Sequence, residues 1–409
     1  MIADYLIRAN RLVTPQRPTT LGGDQTLRKI EEGGLAIKGH RIVKVGRWDE
    51  LKGFDAHATL DFSDYLVTPG LIDPHTHLVF AGNRSKELLW KLEGLGYKEI
   101  ASRGGGINLT VRETRSASEE ELFFTAMKRY RAVLKSGVTT LEAKTGYGLS
   151  VESELRLLAV LNALKKQADI RVIRTLLSAH ALPDEFVGKS KEYIRQVVFK
   201  TIDSASEEDA ADFVDVFCEP GYFSTDETRE ILRYASLKGF GLKVHADEFE
   251  NSGGAELAAE LGVCSADHLG RASREGLVEM GRKGVVAVLL PLLFHATFLE
   301  AVNVSRFRGL GLTVALGTDF NPNCPIDSQL VAMNHACYRM RMRPDEALCA
   351  STVNAAKAVG LKDVGILEPG RCADIAVFDV EDEIDLVTRA GKSPLVMSMS
   401  RGQPVLNDW

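Results

Sequence analysis

The chain has 409 residues, 45% of them hydrophobic and 26% charged, which is enough for one large apolar core and a smaller second one. A formal charge of −6, with no basic run of five residues, argues against nucleic acid or an anionic membrane as partner. The longest apolar run, VVAVLLPLLF, has 10 residues, well short of the ~20 that a membrane span needs.

The opening MIADYLIRAN places Asp4 and Arg8 where a signal peptide would be apolar, so a cytoplasmic protein is expected. Residues 1–65 alternate short apolar segments (LAIKG, RIVKVG) with Gly and Asp turns, and residues 365–409 (GILEPGRCADIAVFDV, PLVMSMSRGQPVL) read the same way. Since chain ends often lie close together, one small β-sandwich built from both is expected. Between them, over 66–364, a unit of short apolar strand, polar loop and amphipathic helix recurs. Its strands are VTPGLID, GVTTLEA, IRVIRTLLSA, FVDVFC, GFGLKVHA, CSADH, GVVAVLL and LTVALGTD, eight in all. Ser118 with Glu121 forms a capping box for a helix ending near Lys135, and VESELRLLAVLNALKK has apolar residues at helical spacing. Eight such units predict an α/β fold with a (β/α)8 TIM barrel, the alternative being a doubly wound open sheet. Six scattered cysteines without a CxxC pair are expected to be reduced thiols, so any metal falls to histidine and carboxylate.

In a barrel of this kind the chemistry sits where the strands run out at their C-terminal ends. In LIDPHTHLVF, His75 and His77 flank one threonine, and alternate side chains of an extended segment share a face. His180 follows the third strand, His245 the fifth, His268 the sixth and Asp319 the eighth, so five of nine histidines stand at strand ends. His75, His77, His245 and Asp319 supply the donors that one divalent zinc or iron requires, with a position left for water. Glu248, three residues after His245 in KVHADEFE, is placed to carry a proton from that water to a leaving nitrogen; the plainer role is to orient a histidine. His268 in SADHLG suits a metal ligand, a proton shuttle or an electrostatic partner of Asp319. The fourth strand ends in Cys218 and Glu219 rather than a lysine, which favours one metal over two. His335 reads as structural, His40 and His57 as exposed, and His295 has no motif around it.

PGLIDPHTHL, HADE, SADHL and GTDFNP together resemble the metal-dependent amidohydrolase superfamily, and EPGRCADIAVFD looks like its return into a terminal β-sandwich. HLVFAGNRSKEL, GYKEIASRGGGI, TTLEAKTGYGL and SAHALPDEF carry a narrower resemblance, to the imidazolonepropionase family within it. That resemblance implies hydrolytic ring opening of 4-imidazolone-5-propanoate to N-formimidoyl-L-glutamate, a step of histidine degradation, by a metal-activated water. It implies that Arg84 grips the carboxylate tail of this small substrate and that Tyr147 adds a phenol donor. It further implies that His180 hydrogen-bonds the ring carbonyl and that Asp319 or Glu248 moves the water proton to the ring nitrogen. Asn321, Asn323 and Cys324 fall where the family holds ring or product, although Asn323 and Cys324 replace its usual Gly followed by Ser or Thr. Gly104 to Gly106 are expected to form a flexible flap over the mouth, and a surface pair with Glu87 is the plainer reading of Arg84. A homodimer is expected. Two other readings share part of this pattern. A deaminase of an aromatic heterocycle such as cytosine or guanine would use the single metal but give Arg84 and Tyr147 nothing to bind. A non-catalytic assembly protein would have no use for the full donor set and Glu248.

Overall fold

The computed structural model describes residues 2–22 and 27–407. Eight parallel strands follow one another in chain order: β1 (Leu71–Asp73), β2 (Val138–Lys144), β3 (Arg171–Ala179), β4 (Phe213–Cys218), β5 (Gly241–Ala246), β6 (Ser265–His268), β7 (Val286–Leu289) and β8 (Val314–Leu316). Each overlaps one of the eight apolar runs expected from sequence, the first of them only in part. The seam between β8 and β1 is carried past the strand ends, where Asp319 N donates to His75 O at 3.1 Å and His77 N to Phe320 O at 2.8 Å. The barrel therefore closes through the same residues that carry its candidate chemistry.

Helices cover the outside of the strands. Ser118 caps the helix Glu119–Leu134 by accepting from Glu121 N at 3.1 Å, and that helix buries Leu122, Ala126, Tyr130 and Val133 at four- and three-residue spacing. Covered on one face and enclosed on the other, β2 and β4 are buried at every residue. Some of the enclosed side chains are nonetheless ionisable, among them Glu142, Lys144, Asp215, Lys243 and Asp267, all 0% exposed. They meet inside the barrel.

The two chain ends form one mostly antiparallel sheet, in which Ala3–Pro15 lies parallel to Ala56–Pro69 and Ile375–Phe378 runs antiparallel to the latter. A register shift between Ala9 and Arg11 bends the two long strands, so that Gly33–Lys38 pairs with the first half of Ala3–Pro15 and Leu27–Glu31 with its second half. Residues from both halves, among them Ile7, Leu35, Ile42, Val67, Ile375 and Met399, share one apolar cluster. Alternation ties this unit to the barrel: Ile375 and Val377 belong to the terminal cluster, whereas Ala376 and Phe378 belong to the large barrel core.

The segment VTPGLID, expected as one strand, is split. Val67, Thr68 and Pro69 pair with the C-terminal strand Ile375–Phe378, and β1 begins at Leu71. Gly70 makes the passage, because a Cβ there would lie 2.1 Å from Thr139 Oγ1. The strand Ala56–Pro69 thus crosses position 65, where the boundary was expected, and a single residue separates the two units.

Candidate active site

Backbone geometry at the C-terminal mouth aims the side chains. Asp73, fully buried, accepts from His75 N (3.3 Å) and Thr318 N (3.1 Å) through one oxygen and from Thr318 Oγ1 (2.6 Å) through the other. It fastens the end of β1 to the end of β8. Asp247, His268 and Asp319 adopt left-handed backbone conformations, with φ of 52°, 74° and 53°. Such conformations cost non-glycine residues on the order of 1–3 kcal/mol each and concentrate where side chains must converge.

Converge they do. Donor nitrogens of His75, His77 and His245 lie within 4.8 Å of one another, and Asp319 Oδ1 lies 3.5 Å from His75 Nε2 and 3.7 Å from His77 Nε2. Donors about 2.1 Å from a tetrahedral ion stand roughly 3.4 Å apart, which the two Asp319 distances match, and the three histidines form a group compact enough to hold an ion. Among the described residues, His75 Nε2 and His245 Nε2 are buried without a hydrogen-bond partner, which fits nitrogens facing a cation. The opposite nitrogen of each ring is held: His75 Nδ1 by Asp267 Oδ2 at 2.6 Å, His245 Nδ1 by Asp215 Oδ1 at 3.1 Å. A carboxylate on Nδ1 fixes the tautomer that leaves the Nε2 lone pair facing the mouth.

Beneath these rings lie the enclosed ionisable groups. Lys144 Nζ donates to Glu142 Oε1 (2.7 Å) and Asp215 Oδ2 (2.9 Å), and Lys243 Nζ lies 3.8 Å from Asp267 Oδ2. Burial alone would raise the Asp215 carboxyl, but His245 and Lys144 hold it well below the usual carboxylate range. Burial, then Lys144 and the neighbouring imidazoles, push His75 far below the usual histidine value. His77 is lowered likewise by burial and then by His180. Neutral imidazoles are the ligand-competent form. Burial raises Asp319 to about 7.

The mouth opens into a cavity lined by His77, Arg84, Tyr147, His180, His245, Glu248, His268, Asp319, Asn321 and Asn323, with Ile107, Phe217, Phe249 and Leu293 as apolar wall. Glu248 Oε2 stands 3.6 Å from His268 Nε2. Burial, and then the Asp319 and Glu219 charges, raise the Glu248 carboxyl well above its usual value. His180 Nδ1 lies 3.0 Å from Gly146 O, and its ring stacks on His77 at 5.2 Å. Position 146 has to be glycine, since φ is 111° and a Cβ would come 2.9 Å from His180 Nδ1.

Arg84 pairs with Glu87 as its plainer reading had it, through Nε and Nη2 at 2.8 Å each, yet the pair is buried and its guanidinium lines the cavity. Glu87 Oε1 also takes Gly106 N at 2.8 Å, and Arg112 donates to Gly104 O at 2.8 Å, so the glycine segment is pinned at both ends. Asn323 reaches the wall with its Oδ1 taken by Lys91 Nζ at 2.6 Å. Cys324 does not line the cavity: its thiol packs with Leu292 and Ala332, because the turn closed by Asn321 Oδ1 on Asn323 N and Cys324 N turns that side chain inward. His40, His57 and His295 are exposed, the last edge-on to His335.

The profile of the amidohydrolase family matches residues 66–405. The chain belongs to that family. Its sequence is 43% identical to an imidazolonepropionase of Geobacillus thermodenitrificans over 99% of this chain and 98% of the relative. It is 44% identical to one of Bacillus cytotoxicus over 87% and 84%. Among solved structures it is similar to a triazine hydrolase variant, with TM-score 0.76 and 17% identity over 99% of this chain and 95% of that one. It is also similar to the E. coli guanine deaminase, with TM-score 0.75 and 16% identity over 98% and 99%. At that identity the structures speak for the fold alone.

Sequence reasoning passed over Asp73, Glu87, Glu142, Lys144, Asp215, Lys243 and Asp267. A signal was there: in TTLEAK, FVDVFC, GLKVHA and SADH a charged residue interrupts a buried strand at the two-residue period of its inward face. Glu87 had been weighed only as a surface partner.

Proposed function

We propose that this chain opens the ring of 4-imidazolone-5-propanoate by hydrolysis, giving N-formimidoyl-L-glutamate, with His75, His77, His245 and Asp319 holding one zinc or iron(II) ion. The observation that carries the reading is the meeting of His75, His77 and His245, the first and last each held by a carboxylate, with a buried arginine and a phenol around one cavity. Both metals suit imidazole and carboxylate donors. Such an ion supplies a Lewis acid and acidifies the attacking water.

The remaining work falls to the chain's own groups. Arg84, held rigid by Glu87, and Tyr147 receive the carboxylate tail and so set the ring against the mouth. His180 takes a role different from the one the family resemblance suggested. Gly146 O can only accept, so Nδ1 carries the proton, and burial lowers this ring to about 3 and keeps it neutral. Nε2 is then an acceptor, suited to a ring N–H rather than to the ring carbonyl. Glu248 receives the proton of the water and returns one to the ring nitrogen as the C–N bond breaks, with His268 beside it as second station.

Chelator treatment is expected to abolish ring opening of substrate made in situ from urocanate, and zinc or iron to restore it. Full activity after thorough metal removal would refute the scheme. Ammonia release from cytosine or guanine, without turnover of the imidazolone, would make the chain a deaminase instead. Arg84→Ala is expected to raise KM by about 10²-fold with a smaller change in kcat, since it removes a charged anchor remote from the reacting bond.

A further inference from the structure

The turn that carries Glu248 is held from another strand. Glu219, the first residue after β4, is 2% exposed, and its carboxylate accepts three successive main-chain N–H groups of the turn leaving β5. Glu248 N donates to Oε2 at 3.0 Å, while Phe249 N (3.1 Å) and Glu250 N (2.8 Å) donate to Oε1. Successive amides converging on one anion form a nest, and a carboxylate there satisfies all three donors at once. The backbone of Glu219 is itself fixed, its N–H donating to Phe223 O at 3.2 Å and its O accepting from Tyr222 N at 2.9 Å.

The other end of the turn has a separate fastening. Asp247 accepts from Ser252 N (2.8 Å), Gly254 N (3.2 Å) and Ala255 N (2.9 Å), which secures the start of the helix Gly254–Leu261 but none of residues 248–250. The Glu248 end of the turn is thus held by Glu219. Phe249, on the same three-residue grip, walls both the active cavity and a larger adjoining cavity bounded by Asn108, Asp184 and Tyr222.

We propose that Glu219 is a positioning residue for proton transfer: by holding the amides of residues 248–250 it keeps the Glu248 carboxylate beside His268 and inside the cavity. The inference rests on the reading of Glu248 as the proton carrier. Glu219 touches neither substrate nor the histidines that would hold the ion, so its loss should leave tail binding and metal content alone. Glutamine in its place offers one acceptor where two are used and turns an N–H toward a donor.

The test is a double-mutant cycle on the full-length, metal-loaded protein, using Glu219→Gln, Glu248→Gln and the double variant, with kcat, KM, bound metal and Tm measured for each. Displacing a catalytic group by about 1 Å can cost ~10²-fold. Glu219→Gln is expected to lower kcat 10- to 100-fold, within that range, with KM changed less than about threefold and metal content unchanged. In the Glu248→Gln background the same change should cost almost nothing more, because both act through one carboxylate. Full kcat in Glu219→Gln, or a loss that multiplies with that of Glu248→Gln, would overturn the inference. Normal turnover by Glu248→Gln would instead remove the proton-carrier reading beneath it. Should Glu219→Gln not fold, Glu219→Asp, which keeps the charge but draws the oxygens back by one methylene, is expected to show the same split between kcat and KM.

Discussion

Asp319 answers to two demands at once. Its backbone N–H closes the barrel on His75 O, while its side chain faces His75 and His77 in a site dry enough to raise its carboxyl to about 7. His75, His77 and His268 are already neutral at that pH, burial having lowered them well below their usual value. In the metal-free protein a proton on Asp319 therefore competes with the ion below pH 7, whereas protons on His75 and His77 do not. Affinity measured against a chelator should fall on the order of tenfold per pH unit from about 7 toward 5, the slope of one displaced proton. A slope of three or four would mean that the rings titrate and that the buried network does not keep them neutral. At this scale the candidate donors were readable from sequence, since HxH and the strand-end positions are local patterns, and His75, His77 and His245 do come together. The partners that hold them were not, because Asp267 on His75 and Asp215 on His245 come from strands 192 and 30 residues away.

Single elements show where local pattern loses to packing. VTPGLID is one apolar run by composition, yet the chain leaves the terminal sheet after Pro69 and enters the barrel at Leu71. What divides the run is the approach of Thr139 to Gly70, a contact between segments that no local window contains. Gly70→Ala would drive a methyl into the Thr139 side chain, and overpacking of that kind typically costs about 1–3 kcal/mol. The expected result is a lower Tm together with weaker metal retention, since β1 leads directly to His75 and His77. An unchanged Tm would show that the junction gives way freely. The terminal strands themselves were legible in their turns and apolar alternation. The register shift after Ala9, which bends both long strands, depends on cross-strand pairing and left no mark in either strand alone.

For the whole molecule, the strand Ile375–Phe378 decides whether barrel and terminal sheet are separable. Its odd and even residues serve different cores, and it pairs with residues 66–69 immediately ahead of the barrel. Barrel and sheet should therefore unfold together, in one thermal transition seen alike by far-ultraviolet circular dichroism and calorimetry. Phe378→Ala, a loss of about 3–5 kcal/mol for a buried ring, is expected to lower that single transition. Two resolved transitions would make the units independent. The composite of both chain ends could be foreseen from their matching β character, but the sharing of one strand between two cores could not, because it requires both partners in place.

The most direct measurement is anomalous diffraction from crystals of the purified protein, collected on either side of the zinc and iron absorption edges. One peak is expected at the barrel mouth, about 2.0–2.2 Å from ring nitrogens of His75, His77 and His245 and from an Asp319 oxygen. No peak there after growth with either metal, or an ion held by other residues, would contradict it.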